Sequence, residues 1–460
     1  MPAVPTGGHV SPHGTVAGSA APVHRPELPR VLSLIDVVGI LVGSVIGSGI
    51  FIVPATIAAE VQSPLLMLTV WVVGGVLSFF GALAFAELGA AYPSAGGMYV
   101  YLREAYGPLI AFLFGWTLFL VIDSGAVATL AMAFASKYLP YFVPLTWVQI
   151  KIVALVFVAL LVGVNYVGVR YGATLQNILT AIKFAAILAV VGAVFVFADG
   201  QPRNYVEPAW QGTPMGLVGA FGVALVASLW AYKGWEAVSF SAGEVKMPQR
   251  VLPLGLLGGT ALIIVLYLAT NLAYLWVFST TEIAGSSRIA SDAMNVALGP
   301  IGAGFIALAI LFSMFGAANG NILTAPRVFF AMARDGLFFK RLANVHERFL
   351  TPHVSIVALG IWAAVLSVSG TFEQLATYVV FGQWIFFGLT VGAVIVLRKK
   401  QPNVTRPYRT WGYPVTPLVF IAAALYISFN TLFTQPWNAL AGLLIIGSGI
   451  PAYLFWRHKA

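Results

Sequence analysis

Gly43 to Ile52, GSVIGSGIFI, lies inside an apolar stretch that runs from about Leu34 to Ala59. A helix crossing a bilayer needs about 20 apolar residues in succession, and this stretch supplies them. Three of the ten residues are nevertheless glycine and two are serine, and each glycine costs a helix interior about 1 kcal/mol relative to alanine. Within lipid, backbone can leave the helix only where protein buries it or a wet cavity solvates it, because each unpaired N–H or C=O costs several kcal/mol. The pattern therefore predicts a spanning helix broken near mid-membrane, where bare backbone meets a polar ligand.

Apolar runs of spanning length recur at about 33–61, 65–90, 108–138, 148–168, 172–198 and 215–243, then at 251–278, 299–330, 353–369, 372–397, 414–433 and 437–456. Only 8% of the 460 residues are charged, against about 25% in a soluble domain. A polytopic all-α membrane protein of twelve spans is expected. An even number places both termini on one side, and Lys and Arg choose it. With the N-terminus inside, eighteen of the 24 basic residues fall in cytoplasmic segments, while Lys137, Lys151, Arg203 and Arg288 fall outside. The formal charge of +9 is thereby explained without nucleic acid as a partner. The bilayer of a cell's inner (plasma) membrane is the expected location, with both termini cytoplasmic. Residues 1–30, rich in Pro, Gly and Ala, are expected to be a disordered cytoplasmic tail in which His9, His13 and His24 are spacers. The chain has no cysteine, so no disulfide-linked subunit and no thiolate metal site is expected; a monomer or weak homodimer is.

Two basic residues remain, Lys183 and Lys233, and both lie inside predicted spans. Lys233 belongs to SLWAYKGWEAVSFSAGE, Ser228 to Glu244, where Tyr232, Lys233 and Gly234 interrupt the sixth apolar run. Five spans separate this interruption from the first, so the two helices enter from opposite sides. Corresponding broken helices in oppositely oriented halves are the best sequence pointer to the binding site of a secondary transporter. Free N–H groups at a half-helix N-terminus suit a carboxylate, and free carbonyls at a half-helix C-terminus suit an ammonium. Ser48, Gly49 and Ile50 are the predicted carboxylate donors, with Val45 and Gly47 beside them. Trp230 and Ala231 offer carbonyls to the amine, next to Lys233 and Gly234. The predicted ligand is a zwitterion: a small-molecule amino acid.

Five segments carry a family resemblance: GSVIGSGIF (43–51), AELGAAYPSAGGMYVYLREAYG (86–107), WAYKGWEAVSFSAGEVKMPQR (230–250), NGNILTAPRVFFAMARDG (319–336) and VLRKKQPNVTRPYRTWGYP (396–414). In this order they resemble the amino acid–polyamine–organocation superfamily, most closely its L-type amino acid transporter branch and bacterial homologues, over about residues 30–455. The resemblance implies two inverted five-helix repeats (a LeuT-like fold), here 31–200 and 213–398, plus two peripheral helices in 410–457, with the first and sixth helices unwound. It implies that Gly47, Ser48 and Gly49 hold the substrate carboxylate and that Trp230 is an aromatic gate within the motif Trp230–Trp235. Tyr232 and Trp235 of that motif are gating candidates. Lys183 matches a lysine of sodium-independent members, whose ammonium stands roughly where related transporters place sodium.

Lys183 lies about 11 residues from the cytoplasmic end of its helix, roughly 16 Å, too far for its side chain to reach water. A lysine at mid-membrane costs at least about 2.5–3.5 kcal/mol, so it is retained for a reason. It either bridges the fifth helix to the first as a permanent cation or titrates and couples transport to protons. Lys233 would repel a cationic substrate side chain, since like charges about 4 Å apart cost about 4 kcal/mol at intermediate dielectric; alternatively it turns away and pairs with Glu236 or Asp123. Asp123, midway along the third span, needs a partner. Glu87, Arg103 and Glu104 are expected as cytoplasmic structural or gating charges, Arg334 and the basic run 398–409 as loops and caps, and Asn319 and Asn321 as interhelical hydrogen-bonding groups in preference to cavity-lining ones. Tyr378 is a candidate outer aromatic.

No GxxxxGK[ST] loop, HExxH motif or Cys/His cluster is present, and Gly47-Ser48-Gly49 is no nucleophile elbow; no enzyme activity, cofactor or metal is expected. The sequence predicts a sodium-independent exchanger of neutral amino acids that works by alternating access. Proton-coupled symport, an amino acid-gated channel and a non-transporting nutrient sensor are the alternatives.

Overall fold

The computed structural model describes residues 28–207, 209–369, 372–434 and 436–458, without the side chains of 214 and 372–381. The expected tail lies almost wholly outside the described residues, as do its three histidines and the side chain of Tyr378.

The first apolar run is two helices, α1 (Leu34–Val45) and α2 (Gly49–Val61), bent by 41° across Ile46–Ser48. Ser33 and Asp36 start α1 with a reciprocal capping box. Then come α3 (Pro64–Ala91), the short α4 (Met98–Tyr106), and α5 (Pro108–Thr117), which runs through one π-helical turn into α6 (Asp123–Ala133). α7 (Trp147–Val167) and α8 (Val169–Phe197) follow. The sixth run is again divided, into α9 (Pro214–Ala231) and the single turn α10 (Ala237–Phe240). The second half continues with α11 (Pro248–Val277), α12 (Thr280–Gly285), α13 (Ile289–Thr324), α14 (Pro326–Arg334), α15 (His353–Ser369) and α16 (Phe372–Lys400). α17 (Val415–Thr434) and α18 (Pro436–Arg457) close the chain.

Among the described residues nine helices are long and apolar enough to cross a membrane, ten if the bent α1–α2 pair counts as one span; Met215–Ala231 and His353–Ser369 are shorter apolar helices. The run expected to begin at about 299 does so at a break: Gly299 (φ 67°) is non-helical and, with Pro300 after it, separates that run from a further helical segment, 289–298, within α13; glycine takes a positive φ that a side chain would oppose.

α1 packs on α8, α11 and α13, and α2 on α9, so the two divided helices sit side by side inside a shell of continuous ones. Val31 and Leu32 hydrogen-bond to the Glu244 carbonyl, and Lys246 N–H donates back to Leu32; the entry to α1 is thus tied to the exit from α10. Arg327 is the one expected loop cation that the fold moves inside. Fully buried, it meets the Glu244 carboxylate through Nε (2.6 Å) and Nη2 (3.0 Å) and also donates to the Leu323 carbonyl. Glu87 is held likewise by Arg398 (2.6 Å), by Arg406 (3.5 Å) and by Thr410 N–H (2.7 Å). Arg103 pairs with Asp335 at 2.5 Å. Burial opposes its charge, but hydrogen bonds to Asp335 and Glu104 outweigh burial and raise its pKa.

Candidate functional site: a cavity between two broken helices

Both breaks open on one cavity of about 60 Å³, lined by Ser44, Val45, Gly47, Ser48 and Gly49 from the first and by Trp230, Ala231, Lys233 and Gly234 from the second. Ala126, Thr129 and Leu130 of α6 and Ala317 and Asn321 of α13 complete the wall. Gly234 has φ 121°, and an added Cβ would lie 2.9 Å from the Ser44 carbonyl carbon and 3.0 Å from Val45 N. The two breaks touch backbone to backbone there, and only glycine permits it.

Side chains reach several of the carbonyls around the first break. Gly43 O accepts from Lys183 Nζ at 2.5 Å. Tyr267 OH donates to Val45 O (3.2 Å) and lies 3.1 Å from Ala231 O, joining the ends of α1 and α9. Ser313 Oγ lies 3.0 Å from both Ile46 O and Gly47 O. The N–H side is different. Gly47 N–H folds back to Val45 O, but among the described residues the N–H groups of Ser48, Gly49 and Ile50 meet no acceptor. Ser48 Oγ is buried and unpartnered beside them. Three free donors at the positive end of the 13-residue α2 form a ready anion site.

At the second break α9 ends at Ala231 and the chain resumes helix at Ala237. The carbonyl of Trp230 accepts from Lys233 N–H (3.2 Å), and that of Ala231 lies 3.1 Å from Tyr267 OH, whose one proton can go to it or to Val45 O, so that Ala231 O keeps accepting capacity. Lys233 Nζ stands 3.4 Å from Asp123 Oδ1, whose other oxygen has no partner. Glu236 does not pair with Lys233: it accepts from Gly234 N–H (3.0 Å) and from the Gln383 amide.

The site residues divide into three groups. Val45, Gly47, Ser48, Gly49, Trp230, Ala231, Lys233 and Gly234 line the cavity. Lys183 and Asp123 support it, through Gly43 O and Lys233 respectively. Ile50, Tyr232 and Trp235 lie off it: Ile50 is fully buried, Tyr232 packs on Trp71 and Tyr267, and Trp235 packs between Phe85 (4.9 Å) and Phe387 (5.3 Å). Asn319 bridges Asn165 and Gln176 between helices, while Asn321 reaches the cavity. Sequence reasoning missed Tyr267 and Ser313. Tyr267, Thr270, Asn271 and Tyr274 recur at i, i+3, i+4 and i+7, a polar stripe on an otherwise apolar run that marks a helix face turned to something polar.

A small polar cavity held between two unwound membrane helices defines a secondary transporter, and no enzyme. The chain belongs to the amino acid permease family, whose model matches residues 32–449. It is 33% identical over 439 residues to the human b(0,+)-type amino acid transporter 1, covering 94% of this chain and 89% of the other. Similar likeness extends to the serine/threonine exchanger SteT of Bacillus subtilis (31%; 94% and 98%) and the human cystine/glutamate transporter (31%; 95% and 87%).

Proposed function

We propose that this protein exchanges neutral amino acids across a cell's plasma membrane by alternating access, independently of sodium. The observation that carries this reading is the pair of unpaired N–H groups at Ser48 and Gly49 on the cavity wall, with that of Ile50 next in the helix behind them, facing the same cavity as Trp230 and Ala231. Those donors suit a carboxylate, and the carbonyls of Trp230 and Ala231 an ammonium. The exchange mode is supported by the relatives: SteT is a serine/threonine exchanger, and a rat relative 32% identical over 445 residues is a large neutral amino acids transporter small subunit. Lys183, hydrogen-bonded to Gly43 O, supplies the first break with a fixed cation in place of a bound one. Lys233, facing the cavity, disfavours arginine and lysine side chains. The short helices Met215–Ala231, continued by Ala237–Phe240, and His353–Ser369 complete twelve spans arranged as two inverted repeats, 31–200 and 213–398, with both termini cytoplasmic.

The test is counterflow in proteoliposomes. Unlabelled alanine inside is expected to accelerate uptake of labelled alanine, equally with sodium or choline outside, and arginine outside is expected to compete poorly. Uptake without acceleration by internal substrate would point to a channel, and binding without uptake to a sensor.

A further inference from the structure

Beyond the breaks, the cavity ends on one face of α6: Ala126, Thr129 and Leu130, at i, i+3 and i+4. Thr129 is 3% exposed, and its hydroxyl has no hydrogen-bond partner. Among the described residues, the other buried threonines on helices divide: Thr117, Thr270, Thr324, Thr390 and Thr431 donate to the carbonyl four residues back, at 2.7–2.9 Å, and Thr180 donates to Gly39 O. Thr260 and Thr280 share Thr129's lack of a partner but do not line the cavity. A buried hydroxyl without a partner is a cost that a valine of the same shape would avoid. Thr129 is the one of the three placed where a bound molecule could supply that partner. Around it the wall is small and apolar, Ala126, Leu130 and Ala317, with Asn321 as the further polar side chain on α13.

We propose that the side-chain end of this site selects hydroxyl-bearing amino acids, with Thr129 as the specificity-determining residue that hydrogen-bonds the substrate hydroxyl. The assignment rests on the zwitterion-binding reading above and refines it to a substrate class. A site that expects a hydroxyl rejects the isostere lacking one, because its own polar group is then left unpaired.

Threonine and valine, equal in shape and different only in the hydroxyl, are the probes. In purified protein, threonine is expected to raise the melting temperature at roughly tenfold lower concentration than valine. In counterflow, the ratio of threonine to valine exchange is expected to be similarly high. Thr129→Val should collapse both ratios toward one without lowering the melting temperature of the ligand-free protein, and Thr129→Ser should restore them. Equal responses to threonine and valine in the wild type, or ratios unchanged in Thr129→Val, would overturn the assignment. Selective binding without exchange would leave it standing and remove the transport reading instead. Failure of either amino acid to shift the melting temperature would remove both.

Discussion

Gly47 and Gly49, two residues apart, do different work. A Cβ at Gly47 would sit 3.5 Å from Ala317 Cβ and 3.9 Å from Leu130 Cδ2, ordinary contact distances across the cavity. A Cβ at Gly49 would sit 2.8 Å from both Cα and Cβ of Ala231, where backbone must move to admit it. Gly47→Ala is therefore expected to fold with an unchanged melting temperature and to lose most exchange, its methyl occupying the space of the substrate. Gly49→Ala is expected to lose stability, by about 1–3 kcal/mol as an overpacked contact, and exchange with it. Thermal melts in detergent beside counterflow rates separate the two; equal melting temperatures for both variants would refute the distinction. The glycines were legible in the sequence because a helix weakened three times in ten residues needs a reason. Their separate roles were not, since they depend on Ala231, Ala317 and Leu130, which are far away in the chain. Lys233 shows the same limit. Its presence inside the membrane could be read from the sequence, but the choice between Asp123 and Glu236 turned on Gly234 N–H and Gln383 already engaging Glu236.

A broken helix survives in a membrane only if its neighbours rehouse the carbonyls, and here α8, α11 and α13 each send one side chain: Lys183, Tyr267 and Ser313. This division of labour relieves several carbonyls of the first break while the N–H groups of Ser48, Gly49 and Ile50 stay free for an anion. Tyr267 has the larger role, since its hydroxyl sits between the ends of α1 and α9. Tyr267→Phe keeps the ring packed on Trp71 and Tyr232 and removes only the hydroxyl. It is expected to cost about 1–3 kcal/mol of stability and to slow exchange, as the two broken helices lose their shared tie. Lys183 can be probed without touching it. A Cβ at Gly316 would lie 2.8 Å from Lys183 Cε and 2.9 Å from Nζ, so Gly316→Ala should push the ammonium off Gly43 O. Exchange is expected to fall in Gly316→Ala nearly as far as in Lys183→Met; wild-type exchange in Gly316→Ala would show that the lysine tolerates displacement. The element boundaries were largely readable from apolar runs, and the one expected at about 299 falls on non-helical Gly299. The helical segment 289–298 ahead of it was not, because it is too short and polar to stand out as a run.

At the scale of the whole molecule, the proposed topology runs the two broken helices in opposite directions through the membrane, and that antiparallel arrangement would let one cavity face a positive helix end and a negative one together. It requires the N-terminus of α1 and the segment after α10 to share a side, and the pairing of Val31 and Leu32 with Glu244–Lys246 meets that requirement. Arg327, bound to Glu244 from the start of α14, pins a third element to the same junction. Removing one member of a buried ion pair leaves the other uncompensated at a cost of about 3–5 kcal/mol, so Arg327→Met and Glu244→Gln should each lower the melting temperature more than the two together. The proposed topology puts this junction on the cytoplasmic side, on the strength of the Lys and Arg excess in the predicted cytoplasmic segments. The absence of native cysteine makes that orientation directly measurable. Ser94, between α3 and α4, and Ser287, between α12 and α13, are both exposed, and the proposed topology puts the first inside and the second outside. In intact cells a membrane-impermeant maleimide is expected to label Ser287→Cys at once and Ser94→Cys only after the membrane is opened. The reverse pattern would turn the molecule over, and with it the direction in which each half of the site faces; labelling of both in intact cells would mean that the spans between them do not form the odd number on which opposed broken helices depend.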